Sequence, residues 1–86
     1  MKLKSDYITQ EVDDAQFLVG VGSASFNGII RSNRTAAFIV NCLHKDTTEE
    51  AIVDAMLKEY DAPREVIARD VKKVLETLRS VSALEE

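Results

Sequence analysis

The sequence predicts an α+β fold of winged helix-turn-helix-like type, an N-terminal three-stranded antiparallel sheet followed by three helices. Three observations point there. The first third of the chain carries short β-branched and aromatic runs separated by turn residues. From Asn33 onward, apolar residues recur instead at helical spacing. The longest helical pattern comes last, from Pro63 to Val81, where Ile67, Val71, Val74, Leu75, Leu78 and Val81 make one apolar stripe.

The elements follow in order. Residues 7 to 12 (YITQEV) read as a strand with Ile8 and Val12 on one face. Asp13-Asp14-Ala15 is a turn signal, because short acidic side chains hydrogen-bond nearby backbone. Residues 16 to 22 read as the second strand, with Phe17, Val19 and Val21 on one face and Leu18 on the other. Gly20 suggests a close backbone approach or a bulge. A third short strand is expected over Phe26 to Arg31, since Ile29–Ile30 needs a surface to pack on; Asn27-Gly28 also fits a tight turn.

Asn33 is a good N-cap for a first helix running to Leu43, with Ala36, Ile39, Val40 and Leu43 inward. Thr47-Thr48-Glu49-Glu50 fits a capping box with Thr47 as the cap and Glu50 reaching back. The second helix then runs to Tyr60, with Ile52, Val53, Met56, Leu57 and Tyr60 inward, and Pro63 opens the third.

At 86 residues the chain is expected to be one domain, residues 1 to 86. A single cysteine cannot form an internal disulfide, which fits a cytoplasmic, reducing setting. No apolar run is long enough to span a membrane. The net charge of −4 and the interleaving of Asp70 and Glu76 with Arg69, Lys72, Lys73 and Arg79 argue against nucleic acid and favour protein or peptide partners.

Catalytic chemistry finds little to work with. Cys42 lies among Ile39, Val40 and Leu43, the setting of a buried structural thiol. His44 is two residues away, and positions at that spacing on a helix do not face each other. The Gly20–Gly22 pair does not open a helix, so it makes no phosphate cradle. Metal sites need more His and Cys than the chain has, or a carboxylate cluster, and Asp13–Asp14 alone are more simply a turn. The expectation is a binding module, not an enzyme, with no cofactor.

The surface it offers is a sheet edge. Gly28-Ile29-Ile30-Arg31 carries no proline, lysine or bulge to block an edge strand, with the terminal Arg31 as the exception; the pattern fits a free edge and a strand paired on both sides or covered by a helix equally well. Such an edge accepts an extended peptide by strand addition, or pairs with a second copy into a homodimer. The alternatives are a winged-helix nucleic-acid binder and an accessory subunit that docks on an enzyme.

Taken together, these pieces resemble the pyrroloquinoline quinone synthesis protein D (PqqD) family, the small domains also called RiPP recognition elements. The similarity runs from the hairpin YITQEVDDAQFLVGVG through Phe26-Asn27-Gly28 and the helix start Asn33-Arg34-Thr35-Ala36. It continues through Glu59-Tyr60-Asp61 to the Asp70-Val71…Leu75…Leu78 run. The resemblance implies a domain that binds the leader of a ribosomally made precursor peptide. It would present that leader to a modifying enzyme, such as a radical SAM enzyme or a protease or cyclase. It also implies that the leader lies along the third strand, at Gly28, Ile29, Ile30 and Arg31, and against a helix wall drawn from Asp70, Lys73 and Val74. Two departures stand out: Ser32 replaces a frequent Leu, and RSVSALEE lacks the family's usual Gly, which predicts that the last helix runs on.

Overall fold

The computed structural model describes residues 1–13, 15–21 and 29–86. Along the chain lie β1 (Lys2–Leu3), β2 (Tyr7–Val12), β3 (Ala15–Gly20), β4 (Ile29–Ser32), α1 (Arg34–Cys42), α2 (Glu49–Glu59), α3 (Arg64–Ser80) and β5 (Leu84–Glu85). The main sheet has the order β2-β3-β4 and is antiparallel throughout. The predicted α+β architecture is present, with two differences at its ends.

The hairpin closes as expected. Val12 pairs with Ala15, which leaves a two-residue loop, and Asp13 takes φ 56. Positive φ at the first loop position is what a tight hairpin needs to match strand twist, and a short acidic side chain tolerates it. Gly20 makes no bulge; it pairs in register with Tyr7, on the face where the Tyr7 ring is buried. The third strand is described from Ile29 and extends one residue further than expected, to Ser32, so Ser32 is a core-facing strand residue running directly into the Asn33 cap. Phe26, Asn27 and Gly28 lie outside the described residues.

Strand alternation sorts the sheet into two faces. Leu18, at 2% exposure, and Gln16 turn inward, and Ile30 packs against the same core. Ile8, Val12 and Ile29 lie on the opposite face and are exposed. That core is one cluster running from Leu3 through Leu18, Ile39, Leu43, Ile52, Met56 and the α3 stripe to Leu84.

The helices form where the apolar spacing predicts, with one cap moved. The Asn33 side chain accepts from the Ala36 N–H at 2.8 Å, as a cap should. In α2 the cap is Thr48, not Thr47: its Oγ1 accepts from Ala51 N at 3.1 Å. Thr47 is committed elsewhere, donating its N–H to the Met1 carbonyl. α3 buries Ile67, Val71, Leu75 and Leu78, and packs on α2 and α1.

The end of α3 corrects the expectation that the helix runs on. Ser82 takes φ 57, its N–H bonds to Arg79 O, and Ala83 N–H bonds to Leu78 O. This pair of bonds around a left-handed residue is a Schellman cap, the role glycine usually fills. The chain then turns back as β5, which pairs with β1. β1 also caps a helix end from outside, since Leu3 N–H bonds to the carbonyl of Leu43.

Candidate functional site: the free edge of β4

β4 ends the sheet order, so one of its sides carries no strand among the described residues. Which of its backbone groups point outward follows from a single bond. Val21 N–H donates to Asp6 O at 2.8 Å, and these residues continue the β2–β3 register. Hydrogen-bonded pairs alternate along an antiparallel ladder, so Val19, Phe17 and Ala15 also turn their backbone groups toward β2. Leu18 and Gln16 then face β4 and bond Ile30 and Ser32, their register partners. The N–H and C=O groups of Ile29 and Arg31 are left pointing off the sheet. Sequence pattern alone does not distinguish Ile29 and Arg31 from Ile30 in this respect.

Side chains alternate in step with the backbone. Ile30 is half-buried against the core, whereas Ile29 is 66% exposed and Arg31 is exposed. The chief neighbours of β4 are β3 and α1.

The second expected wall, α3, carries Asp70, Lys73 and Val74. Val74 is half-buried and packs against the same core as Ile30; Asp70 and Lys73 are exposed. Val66, Asp70, Val74, Thr77 and Val81 follow one another at spacings of four, four, three and four, so they form a stripe beside the buried one. Its valines are half-buried, a flank that the core does not fully cover. The hairpin anchors the end of that stripe, because the Tyr7 hydroxyl donates to the Val81 carbonyl at 2.5 Å. Gly28, also expected at the site, lies outside the described residues.

Two residues that the sequence reading leaves out stand at the far end of β4. Ser32 extends the strand, and Arg34 opens α1; with Arg31 and Asn33 they line a cavity of about 480 Å³. The signal for Arg34 was its place immediately after the Asn33 cap, which brings it back over the strand end.

The other chemistry is sparse. Among the described residues, no three His, Cys, Asp or Glu side chains come together as metal ligands. Burial pushes the Cys42 thiol above its usual range, which suits a packing role and not a nucleophile. Among the described residues, the His44 ring has Thr9 Oγ1 as its hydrogen-bond partner, at 3.4 Å. Of the five exposed basic residues of α3, Arg79 is held by the Glu86 carboxylate at 2.9 Å and Arg64 by Asp54 at 2.8 Å, which leaves a weaker phosphate-binding face. Among the described residues, no helix is long and apolar enough to cross a membrane.

A free antiparallel edge followed by three helices is matched by one family profile, coenzyme PQQ synthesis protein D, over residues 11–84. The chain belongs to the PqqD family. Comparison with curated proteins gives no match. Two solved structures share the fold across nearly the whole chain. One is TbiB1 in complex with the TbiA(beta) leader peptide, with a TM-score of 0.83 and 25% identity, covering 99% of this chain and 95% of that one. The other is lasso peptide synthetase B1 complexed with the leader peptide, with a TM-score of 0.78 and 22% identity, covering 98% and 96%. The PqqD match begins inside β2 and ends at Leu84, so it takes in the β4 edge and the whole of α3.

Proposed function

We propose that this PqqD-family domain binds the leader segment of a ribosomally synthesised precursor peptide by strand addition to β4 and presents it to a modifying enzyme. The observation that carries the reading is the pair of outward backbone positions, Ile29 and Arg31, on a strand that nothing covers among the described residues. Backbone bonds supply affinity in this mode, and the pockets beneath alternate side chains supply selectivity. Support also comes from the two similar folds, each of which holds a leader peptide.

In this reading residues 1–86 act as a single recognition unit. Peptide residues opposite Ile30 and Ser32 would lie on the core-facing side of the sheet, and the reading takes the half-buried flank of α3 as the second wall, with Val74 for apolar contact and Asp70 and Lys73 as a charged rim. The chain itself contributes no catalysis; a radical SAM enzyme, protease or cyclase acts on the presented peptide.

The test is a titration of the fluorescently labelled leader of the precursor encoded beside the domain. Arg31→Pro removes an outward N–H without touching the ladder to β3, and should abolish binding. Unchanged affinity in a folded Arg31→Pro domain would refute strand addition. Steeply salt-dependent binding to duplex DNA, with no leader binding, would favour the nucleic-acid alternative.

A further inference from the structure

We infer that the outer face of the β4 edge selects the bound peptide by its side chains, taking an apolar residue opposite Ile29 and an acidic residue two positions away, at Arg31 and Arg34. This rests on the strand-addition reading and goes further, because it names the peptide chemistry that the edge prefers.

The register supplies the first half. Ile8 pairs with Val19 and Val19 with Ile29, so the three side chains form one row across the outer face. Ile8 is 40% and Ile29 66% exposed, so among the described residues the row stops at the edge with no strand beyond its last member. A strand added to β4 places the residue opposite Ile29 on this same face, about 5 Å away between Cβ atoms. An apolar, β-branched residue there continues the row.

The second half comes from the next row, Gln10, Phe17 and Arg31. Arg31 makes no ion pair among the described residues, and neither does Arg34. Both line the cavity at the end of β4. The adjoining first turn of α1 contains no acidic residue, so the helix N-terminus adds to the positive potential there. Asp13 lines a neighbouring cavity together with Arg31, but forms no ion pair with it. Glu11 and Asp13 also line a cavity with Ser32, Asn33 and Arg34, but among the described residues neither pairs with Arg31 or Arg34, so both guanidinium groups stay open to a carboxylate from a bound peptide. A carboxylate two residues from the apolar position lands on them, because residues two apart on a strand share a face. A lysine or arginine at that position would meet like charge.

The experiment selects a displayed library of random short peptides on the full chain, on the Arg31→Glu, Arg34→Glu double variant, and on Arg31→Pro. The native chain should enrich Val, Ile or Leu with Asp or Glu two positions away. The charge-reversed chain should enrich Lys or Arg at that second position. A synthetic peptide from the native pool should bind about fivefold more weakly when its acid is replaced by the amide, as cross-strand and rim ion pairs of modest strength require. Enriched peptides without an acidic position, a preference that ignores charge reversal, or no enrichment at all would overturn the inference. If Arg31→Pro abolishes binding in the first two of those cases, strand addition survives and only the side-chain code fails. If Arg31→Pro binds the native pool unchanged, strand addition itself has failed.

Discussion

The hydroxyl of Tyr7 donates to the backbone carbonyl of Val81, joining the start of β2 to the end of α3 across 74 positions in sequence. The contact does two things. It satisfies a carbonyl at a helix C-terminus, where intrahelical partners run out. It also fixes the sheet relative to the helix that flanks it. Tyr7→Phe keeps the buried ring and removes only the bond, so stability should fall by about 1 kcal/mol. Chemical denaturation should show a lower midpoint with an unchanged slope.

Proline scanning along β4 should separate neighbouring residues sharply. Ile30 directs its N–H to Leu18, so Ile30→Pro breaks the ladder and leaves an acceptor unpaired at a core position, costing on the order of 2 kcal/mol. Arg31 directs its N–H outward, so Arg31→Pro should leave the melting temperature close to that of the native chain. Circular dichroism melts of the two variants would settle the assignment, and equal destabilisation would contradict the alternation derived from Val21 and Asp6.

Ser82 holds a left-handed conformation in a cap that usually carries glycine. The strain at a residue with a Cβ outweighs the extra entropy that glycine loses on folding. Ser82→Gly should therefore stabilise the domain, by about 0.5 kcal/mol or slightly more. Ser82→Val should destabilise it, because branching at Cβ makes positive φ still less favourable.

Gln16 is 4% exposed and donates to Asn41 Oδ1 at 2.8 Å, while its own Oε1 has no partner among the described residues. Asn41 is exposed, so it can turn to solvent if Gln16 is lost. Gln16→Met keeps the length of the side chain and removes the orphaned acceptor. The variant should be at least as stable as the native chain, where truncation of a buried polar residue normally costs 1 kcal/mol or more, on the order of the desolvation penalty. Thermal melts of Gln16→Met beside Gln16→Ala would show the contrast.

Arg79 and Glu86 meet in a bidentate pair, with the Arg79 Nε and a terminal nitrogen both donating to the carboxylate. The hydrogen bond from Arg79 holds the Glu86 carboxyl below the usual glutamate range. A carboxyl with a depressed native pKa adds stability above its unfolded pKa, and that contribution disappears as pH falls through the native value. Both groups are solvent-exposed, so the effect on stability is small. Its signature is spectroscopic: in an NMR titration the Glu86 carboxyl should have a midpoint below that of an ordinary glutamate. In Arg79→Ala the midpoint should return upward.

The helices were the most legible part of the sequence, because their stripes repeat over several turns. The burial of Ile67, Val71, Leu75 and Leu78 in α3 follows directly from that spacing. Caps were less legible: Thr47 and Thr48 are equally good residue types, and only the tie from Thr47 to Met1 explains why Thr48 is free to cap. The β1–β5 pairing could not be read, since strands of two residues have no periodicity and their partners lie at opposite ends of the chain. The end of α3 misled for a related reason. Ser82 is a poor left-handed residue, and only the burial of Ala83 and Leu84 beyond it compensates. At the candidate site, Ile29 to Arg31 stood out as an unblocked edge. Which of them offers its backbone depended on a bond made at the other side of the sheet.

The Tyr7–Val81 anchor and the β4 ladder leave an edge whose pleat is already set before any peptide arrives. Such an edge works as a ruler graduated in steps of two residues. If a peptide adds to this edge, a slide by one residue inverts every side chain, sending the group opposite Arg31 to the core-facing side and the core-facing group into water. A slide of two restores the pattern one pleat further along. Inserting one residue between the recognition segment and the site of modification would therefore leave binding intact but move the modified residue, whereas inserting one inside the segment would break the frame.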